Sequence, residues 1–315
     1  MPQQTPAQAR VIDPILTAIA RAAAMQSSPV ADILFPIVPV GARGGRVISF
    51  GNEDFRLISS ARAPGANTKR VQFGYTSGAY FLTDYSLEGS VPIEILQEGL
   101  AVPTINHATV AITKVRNMMA LEREKQCADL ALNAALYGAN NKLTLTSTDR
   151  WDQYDQAASD PIADIQAARE AIRAQIGVRP NVLTLGPKVL TALRSHPKIL
   201  DRLSTSTDRS PATLAQLQAL LEIETVVEGG MIFHNGTAFV DVWGTYAHLA
   251  YTPPRSLAEM GSPSFGYTYQ LEEYPVAEEQ YYERNEKTWY FPVTDARQPV
   301  LAGASAGFLF TTAVN

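Results

Sequence analysis

Residues Thr104–Tyr137 read TINHATVAITKVRNMMALEREKQCADLALNAALY, thirty-four residues with neither glycine nor proline. Pro103 stands before the stretch and Gly138 after it, the punctuation expected at the start and stop of a helix. At about 1.5 Å per residue the sequence predicts a rod of roughly 50 Å. Ile105, Ala108, Ile112, Val115, Met119, Cys127, Leu130 and Ala134 form an apolar stripe at helical spacing, with a polar interruption around Arg123. Lys114, Arg116, Glu122, Glu124, Lys125 and Asp129 are assigned to the opposite, wet side. Charges recur on every turn, so the rod is no membrane span. A long strut covered on one face is ordinary in an assembly protein and unusual in an enzyme core.

Outward from this rod, the composition sets limits. The chain has 315 residues, of which 46% are hydrophobic and only 18% charged. That allows a sizeable core, and the sparse charge suggests that much of the surface meets partners. A net charge of −5 argues against a dedicated nucleic-acid binder. Cys127 is the single cysteine, so there are no internal disulfides, and in mid-helix it reads as a small buried hydrophobe. The first ten residues show no basic start leading into an apolar run, no apolar run reaches membrane length, and no internal repeat is evident.

Before the rod, prolines break residues 1–40 into an arm with one short helix, Pro14–Met25, capped by Asp13. The apolar run Ile33–Val38 has no local partner and is expected to dock elsewhere. Val47–Phe50, Phe55–Ile58, Val71–Tyr75 and Ala79–Tyr85 are strand-like, around a turn-rich tip, SSARAPGANTKR. Residues 41–80 carry a local charge of +4 from Arg43, Arg46, Arg56, Arg62, Lys69 and Arg70 against Glu53 and Asp54. An isolated hairpin is marginal in water, so this one needs an acidic surface to lie on. The glycines of GARGGR (41–46) read as a hinge at its base.

After the rod, Ala139–Ser159 reads as a linker. Asp160-Pro161 then opens an amphipathic helix with Ile162, Ile165, Ala168, Ile172 and Ile176 inward, ended by Gly177. Strand 181–185, a helix at Pro187–Arg194, a helix opened by Ser210-Pro211, strand Glu222–Val227, a hairpin turning at Asn235-Gly236, and strand Tyr246–Tyr251 complete a compact α/β domain. Phe265–Tyr274 and Tyr281–Val293 return to β structure, and Gly307–Val314 is an apolar strand whose register suggests that it closes a sheet begun much earlier.

No constellation carries convincing chemistry. GASAG (303–307) matches the G-x-S-x-G elbow around Ser305, but only eight residues follow it and none is Asp or His. His107, His196, His234 and His248 lack ligand spacing and read as surface or capping residues. Asp152, Asp155 and Asp160 miss the calcium-loop spacing. GARGGR lacks the Lys-Ser/Thr of a phosphate loop. The run Glu272, Glu273, Glu278, Glu279, Glu283 and Glu286 gives −5 over residues 271–286, a solvated or interface face rather than a catalytic pair. Catalytic, cofactor and metal sites are therefore expected to be none, and the protein not an enzyme.

The order of parts — proline-broken arm, hairpin, strut, α/β domain, returning strands — resembles a tailed-phage major capsid protein of the Hong Kong 97 fold, an α+β architecture. LEREKQCADLALNAALYG (121–138), RPNVLTLGPKVLTALRSHPKILDRL (179–203), VWGTYAHLAYTP (242–253) and SPSFGYTYQ (262–270) carry the likeness, and their succession covers nearly the whole chain. The resemblance implies an N-terminal arm (1–38), an extended loop (39–88), a spine helix with the first part of a peripheral domain (89–140), an axial domain (141–251), peripheral strands (252–300) and a closing strand (301–315). It implies hexamers and pentamers tiling an icosahedral head around double-stranded DNA that is held without specific binding, in a virion assembled in the bacterial cytoplasm. A closed container holds its DNA with no phosphate affinity in the wall, which suits the negative charge. The partners implied are other copies of the chain, a separate scaffold protein, a portal and a decoration protein, with no membrane. Some relatives crosslink through a loop lysine; Lys69 is the one lysine in this loop. The same fold builds encapsulin compartments, an alternative, and a soluble α/β enzyme or a tail module are the remaining readings. In the resembled fold the loop lies over a neighbour's peripheral domain, so Arg62, Lys69 and Arg70 are expected to meet Glu272, Glu273, Glu278, Glu279 and Glu283 between subunits.

Overall fold

A computed structural model describes residues 29–49, 61–62, 70, 76–101, 106–203, 210–253 and 264–315. The helix expected at Pro14–Met25, the strands at Phe55–Ile58 and Val71–Tyr75, and Lys69 lie outside them. The described elements are helix α1 (Ala31–Leu34), strands β1 (Ile37–Val40), β2 (Gly44–Ser49), β3 (Thr76–Phe81) and β4 (Thr83–Pro92), and helices α2 (Ile93–Ala101) and α3 (His107–Ala131). β5 (Lys142–Thr144), α4 (Pro161–Ile176), β6 (Val182–Leu185), α5 (Pro187–Ser195), α6 (Pro197–Leu203), α7 (Leu214–Leu221), β7 (Thr225–Glu228), β8 (Ile232–His234), β9 (Phe239–Asp241) and β10 (Ala247–Ala250) follow. The chain ends with β11 (Gly266–Leu271), β12 (Val276–Ala277), β13 (Tyr281–Glu283), β14 (Thr288–Leu301) and β15 (Gly307–Thr311).

The strut is α3, 25 residues and about 37 Å long. The Asn106 side chain caps its start by accepting from the Thr109 amide at 3.2 Å. It stops at Ala131, six residues short of the expected Tyr137. Asn133 is the reason: its side chain accepts from the Ala135 amide and redirects the backbone into a 3-10 turn, Ala134–Leu136. The Tyr137 hydroxyl then folds back and donates to the orphaned Ala131 carbonyl at 2.6 Å.

The two halves of α3 lie in different cores. Ile112, Val115 and Met119 pack with Val91, Ala277, Phe291 and Val293 of a sheet, while Cys127, Ala128 and Ala131 join the largest core. The wet side is narrower than the sequence suggested. Glu124 is fully buried and Arg123 nearly so. Glu124 stands four residues from both Ala120 and Ala128 and so shares their face. Its carboxylate is tolerated there because three donors meet it: the Val30 amide at 3.0 Å, the Ala31 amide at 2.9 Å and the Trp243 indole at 2.7 Å. Arg123 pairs with Asp32. The segment before β1, the strut and the loop after β9 are thereby tied at one point.

The six-stranded sheet is built on β14. Residues 266–287 form a long interrupted hairpin with it, through β11, β12 and β13. β4 covers its other edge in register from Thr83↔Arg297 to Pro92↔Thr288. The Ile33–Val38 run docks as expected. Leu34 and Phe35 are fully buried, Phe35 meets Phe265 edge-on at 5.5 Å, and β1 adds to β11 in parallel. The loop base, β2 paired with β3, lies on this sheet through Val47, Tyr80 and Tyr267, with Tyr80 stacked on Tyr269 at 4.1 Å. The glycines there are not a hinge. Gly44 and Gly45 sit inside β2, and a Cβ at Gly45 would fall 2.8–2.9 Å from the Tyr80 ring, so glycine makes a slot for the aromatic.

The second sheet runs β5-β15-β10-β6-β7. β15 closes it as the sequence suggested, between β5, about 165 residues earlier, and β10. Residues 139–159 are no linker: they supply β5 and the fully buried Trp151, whose indole donates to Asp164 at 2.9 Å. α4 follows the reading closely, with Asp160 capping the Ala163 amide and Gly177 at φ 72°. α7 starts at Leu214 rather than at Ser210-Pro211, because Thr213 and Gln216 form a capping box. Glu222 is left-handed at the end of α7, so β7 begins at Thr225. His196 and His248 are buried; His196 caps, as the sequence allowed, its Nδ1 accepting from the Lys198 amide at 3.3 Å at the start of α6, whereas His248 is neither a surface nor a capping residue. His248 Nε2 lies 2.8 Å from the Tyr137 hydroxyl. Since that hydroxyl donates to Ala131, the imidazole is the donor here, and burial pushes its pKa down to about 3.

Candidate inter-subunit interface

The acidic run does not form one patch. Register divides it between two places on the six-stranded sheet. Glu272 and Glu273 occupy the turn after β11, at the foot of the loop, where the Glu272 amide bonds the Val40 carbonyl at 3.1 Å. Both side chains are exposed, and Glu273 has φ 71°. Glu278 and Glu283 instead face outward on the side of the sheet away from α3. Glu278 accepts from Thr294 Oγ1 at 3.0 Å, and Glu283 from the Asn285 amide at 3.2 Å. Glu279 is exposed between β12 and β13.

This outward face has an aromatic centre. Tyr281 and Tyr290 are cross-strand partners whose rings stack at 5.3 Å. The Tyr281 hydroxyl donates to Glu88 at 2.8 Å, and the Tyr290 hydroxyl donates to Glu286. Those bonds hold the phenols protonated: Glu88 raises the Tyr281 pKa, and Glu286 pushes Tyr290 up to about 12. Ser86 and Thr294 hydrogen-bond at 3.1 Å beside them. The result is a sheet face with Glu88, Glu278, Glu283 and Glu286 around two stacked tyrosines. Glu88 is missing from the acidic run because it lies on β4, about 190 residues away, and only the β4–β14 register brings it in. The one sequence signal for it is the polar-apolar alternation Asp84, Tyr85, Ser86, Leu87, Glu88 along β4.

Arg62 and Arg70 are exposed, and Lys69 lies outside the described residues. At the loop base Arg43 pairs with Asp84 at 2.6 Å, and this carboxylate raises the guanidinium pKa. The Leu82 amide bonds the Arg43 carbonyl at 2.8 Å, one step beyond the Gly44↔Phe81 pair of the β2–β3 ladder.

Ser305 sits in a 3-10 turn, Ala304–Ala306, followed by strand β15, whereas a nucleophile elbow needs a helix there. Among the described residues no group of three His, Cys, Asp or Glu could hold a metal ion, and no helix is long and apolar enough to cross a membrane.

Residues 104–252 match the family of phage major capsid protein E. Over 307 residues the chain is 31% identical to the major capsid protein of Burkholderia phage BcepMu, covering 96% of each. It is similar to the crystal structure of a phage-related protein from Bordetella bronchiseptica RB50, with 40% identity, a TM-score of 0.82, and coverage of 97% of this chain and 98% of that one. The virus-like particle subunit of Pyrococcus furiosus shares the fold at 11% identity, with a TM-score of 0.57 over 94% of this chain and 97% of that one.

Proposed function

This chain belongs to the phage major capsid proteins, and from that premise we propose that its copies close into hexamers and pentamers of an icosahedral head, held together partly through the acidic-aromatic face. It is a structural subunit of the virion capsid with the Hong Kong 97 fold. The observation that carries the assignment is identity sustained over nearly the whole length of a capsid protein. The encapsulin alternative has less support, since the relatives with appreciable identity are phage proteins.

The finer readings go further. The role is structural rather than catalytic, and the turn at Ser305 supports this. Assembly proceeds in the host cytoplasm with a scaffold protein, the head carries a portal and a decoration protein, and its DNA is held without specific contacts. Between subunits, the basic loop with Arg62, Lys69 and Arg70 meets the glutamates of a neighbour. Glu278, Glu279 and Glu283 lie on or beside the tyrosine face, and Glu272 and Glu273 form a second acidic spot at the loop base. Charge complementarity supports the match, since residues 41–80 are +4 and residues 271–286 are −5.

Negative-stain microscopy of the expressed protein, alone and with a scaffold protein, tests the shell: regular closed particles are expected, and soluble monomers under every condition would refute it. Assembly yield against ionic strength tests the charge match. Single exposed pairs contribute only about 0–1 kcal/mol, but they repeat around a ring. Wild type should weaken at high salt, the triple variant Arg62→Glu, Lys69→Glu, Arg70→Glu should fail at low salt, and reversal of the glutamates should partly rescue it. An unaffected triple variant would assign the loop contact to apolar residues.

A further inference from the structure

The hairpin β8–β9 is a thin element with two apolar faces. Residues 231–240, MIFHNGTAFV, contain no Lys, Arg, Asp or Glu. Its register pairs Phe233 with Val240 on one face and His234 with Phe239 on the other. The turn is held locally: Asn235 Oδ1 accepts from the Thr237 and Ala238 amides at 3.0 and 2.9 Å, and Gly236 has φ 96°. Phe233 and Val240 face a cavity of about 340 Å³ between the hairpin and the end of α3, walled also by Leu132, Val242 and Tyr246. At its mouth Lys125 pairs with Asp129 and stands 5.7 Å over the Phe233 ring, and Asp241, the cross-strand partner of Ile232, adds one further carboxylate. The other face is bare. Phe239 is 72% and Ile232 49% exposed, and the Phe239 ring meets the His234 edge at 5.1 Å.

A two-stranded hairpin that offers a large aromatic to water on one side and an apolar hollow on the other is unstable as a free surface. The two faces match in apolar character: Ile232 and Phe239 stand out on one, and Leu132, Phe233, Val240, Val242 and Tyr246 line the hollow on the other. The hollow has room for a phenyl ring and an isoleucine side chain. They also point in opposite directions from one element. In a closed ring each copy shows one surface to the copy ahead and a different one to the copy behind. We propose that the bare face of this hairpin, Ile232 and Phe239, seats in the hollow walled by Phe233, Val240, Val242, Leu132 and Tyr246 of a second copy of the chain, front to back around the ring. This rests on the reading that copies close into rings.

The test is disulfide trapping in the full-length protein. The native Cys127 is fully buried and stays silent. Phe239→Cys with Leu132→Cys puts one thiol on the bare face and one at the hollow. Mild oxidation of assembled particles should give a ladder of covalent oligomers on denaturing gels, and oxidation of dissociated protein should not. Each single variant should give no ladder. Dimers from Phe239→Cys alone would mean that like faces meet, and would overturn the proposal. Particles of normal shape without a ladder would overturn it and leave the ring reading standing. Wild-type protein that never forms closed rings would overturn both. Should the double variant fail to fold, Phe239→Asp serves instead: its unfolding midpoint should equal that of wild type while the protein concentration needed for assembly rises roughly tenfold or more. An unchanged threshold would overturn the proposal.

Discussion

Two clusters of carboxylates in this subunit are chemically alike and differ in what surrounds them. At the junction of the strut with both cores, Glu124 takes three N–H donors, and Asp295 takes Gln270 at 2.6 Å and Arg297 at 2.8 Å, all out of water. On the outer face, Glu88 and Glu286 each accept from one tyrosine and remain exposed. In the low dielectric of the junction an unmet carboxylate is costly, so both carboxylates there are met within the subunit and help to fix its shape. On the outer face the same groups keep acceptor capacity for a partner. The first cluster builds the subunit; the second, on the reading proposed above, joins it to the next.

The comparison can be broken at its buried end. Glu124→Ala would leave the Val30 and Ala31 amides and the Trp243 indole without acceptors, and should lower unfolding stability by about 3–5 kcal/mol. Glu124→Gln keeps an acceptor and should cost about half as much. Denaturant unfolding of the dissociated subunit measures both, and a Glu124→Gln protein as stable as wild type would mean that the side chain serves only to fill space. Ile112→Pro should be comparably severe, since an interior proline costs about 3 kcal/mol and kinks the strut within the first of its two cores. Capsomers should fail to form, whereas exposed Lys114→Ala should assemble; regular shells from Ile112→Pro would show that the strut is not what couples the cores.

A smaller effect concerns pH. His248 is held neutral in the fold, with a pKa near 3, while the unfolded chain takes up a proton near 6.5. Below 6.5 the unfolded state therefore binds more protons, and stability should fall as pH drops, by up to about 1.4 kcal/mol per pH unit for this one group. His196, also lowered by burial, adds to the same slope. Between pH 6.5 and about 4.5, above most carboxylate titration, His248→Gln should unfold with a visibly shallower pH slope than wild type. An unchanged slope would mean that the imidazole titrates freely in the fold. Tyr137→Phe, which frees both the Ala131 carbonyl and the imidazole, should lower the unfolding free energy by about 1–2 kcal/mol.

What the sequence made legible was whatever a few neighbouring residues decide. Asp160-Pro161 to Gly177, the Asn235-Gly236 turn and the late strand that closes the sheet all stood as read. The succession of such parts was also enough to place the fold. The failures have long-range causes. The strut stops early because Asn133 competes for its backbone, which looks harmless in a helical pattern. Glu124 reads as a surface charge until Val30, Ala31 and Trp243 arrive from 94, 93 and 119 residues away. The glycines at 44–45 read as a hinge because the Tyr80 ring that needs the slot belongs to the partner strand. Glu88 was invisible for the same reason: composition finds acidic runs, and only strand register finds acidic faces.

Hydroxyl-radical footprinting of assembled against dissociated protein tests the division between the two clusters most directly, because it reads side-chain exposure residue by residue. Tyr281 and Phe239, 44% and 72% exposed in the isolated subunit, should lose most of their labelling on assembly, while Trp243 and Met119, buried at the junction, should stay equally dark in both. Labelling of Tyr281 and Phe239 that is unchanged by assembly, or protection that appears instead around Trp243, would contradict the account.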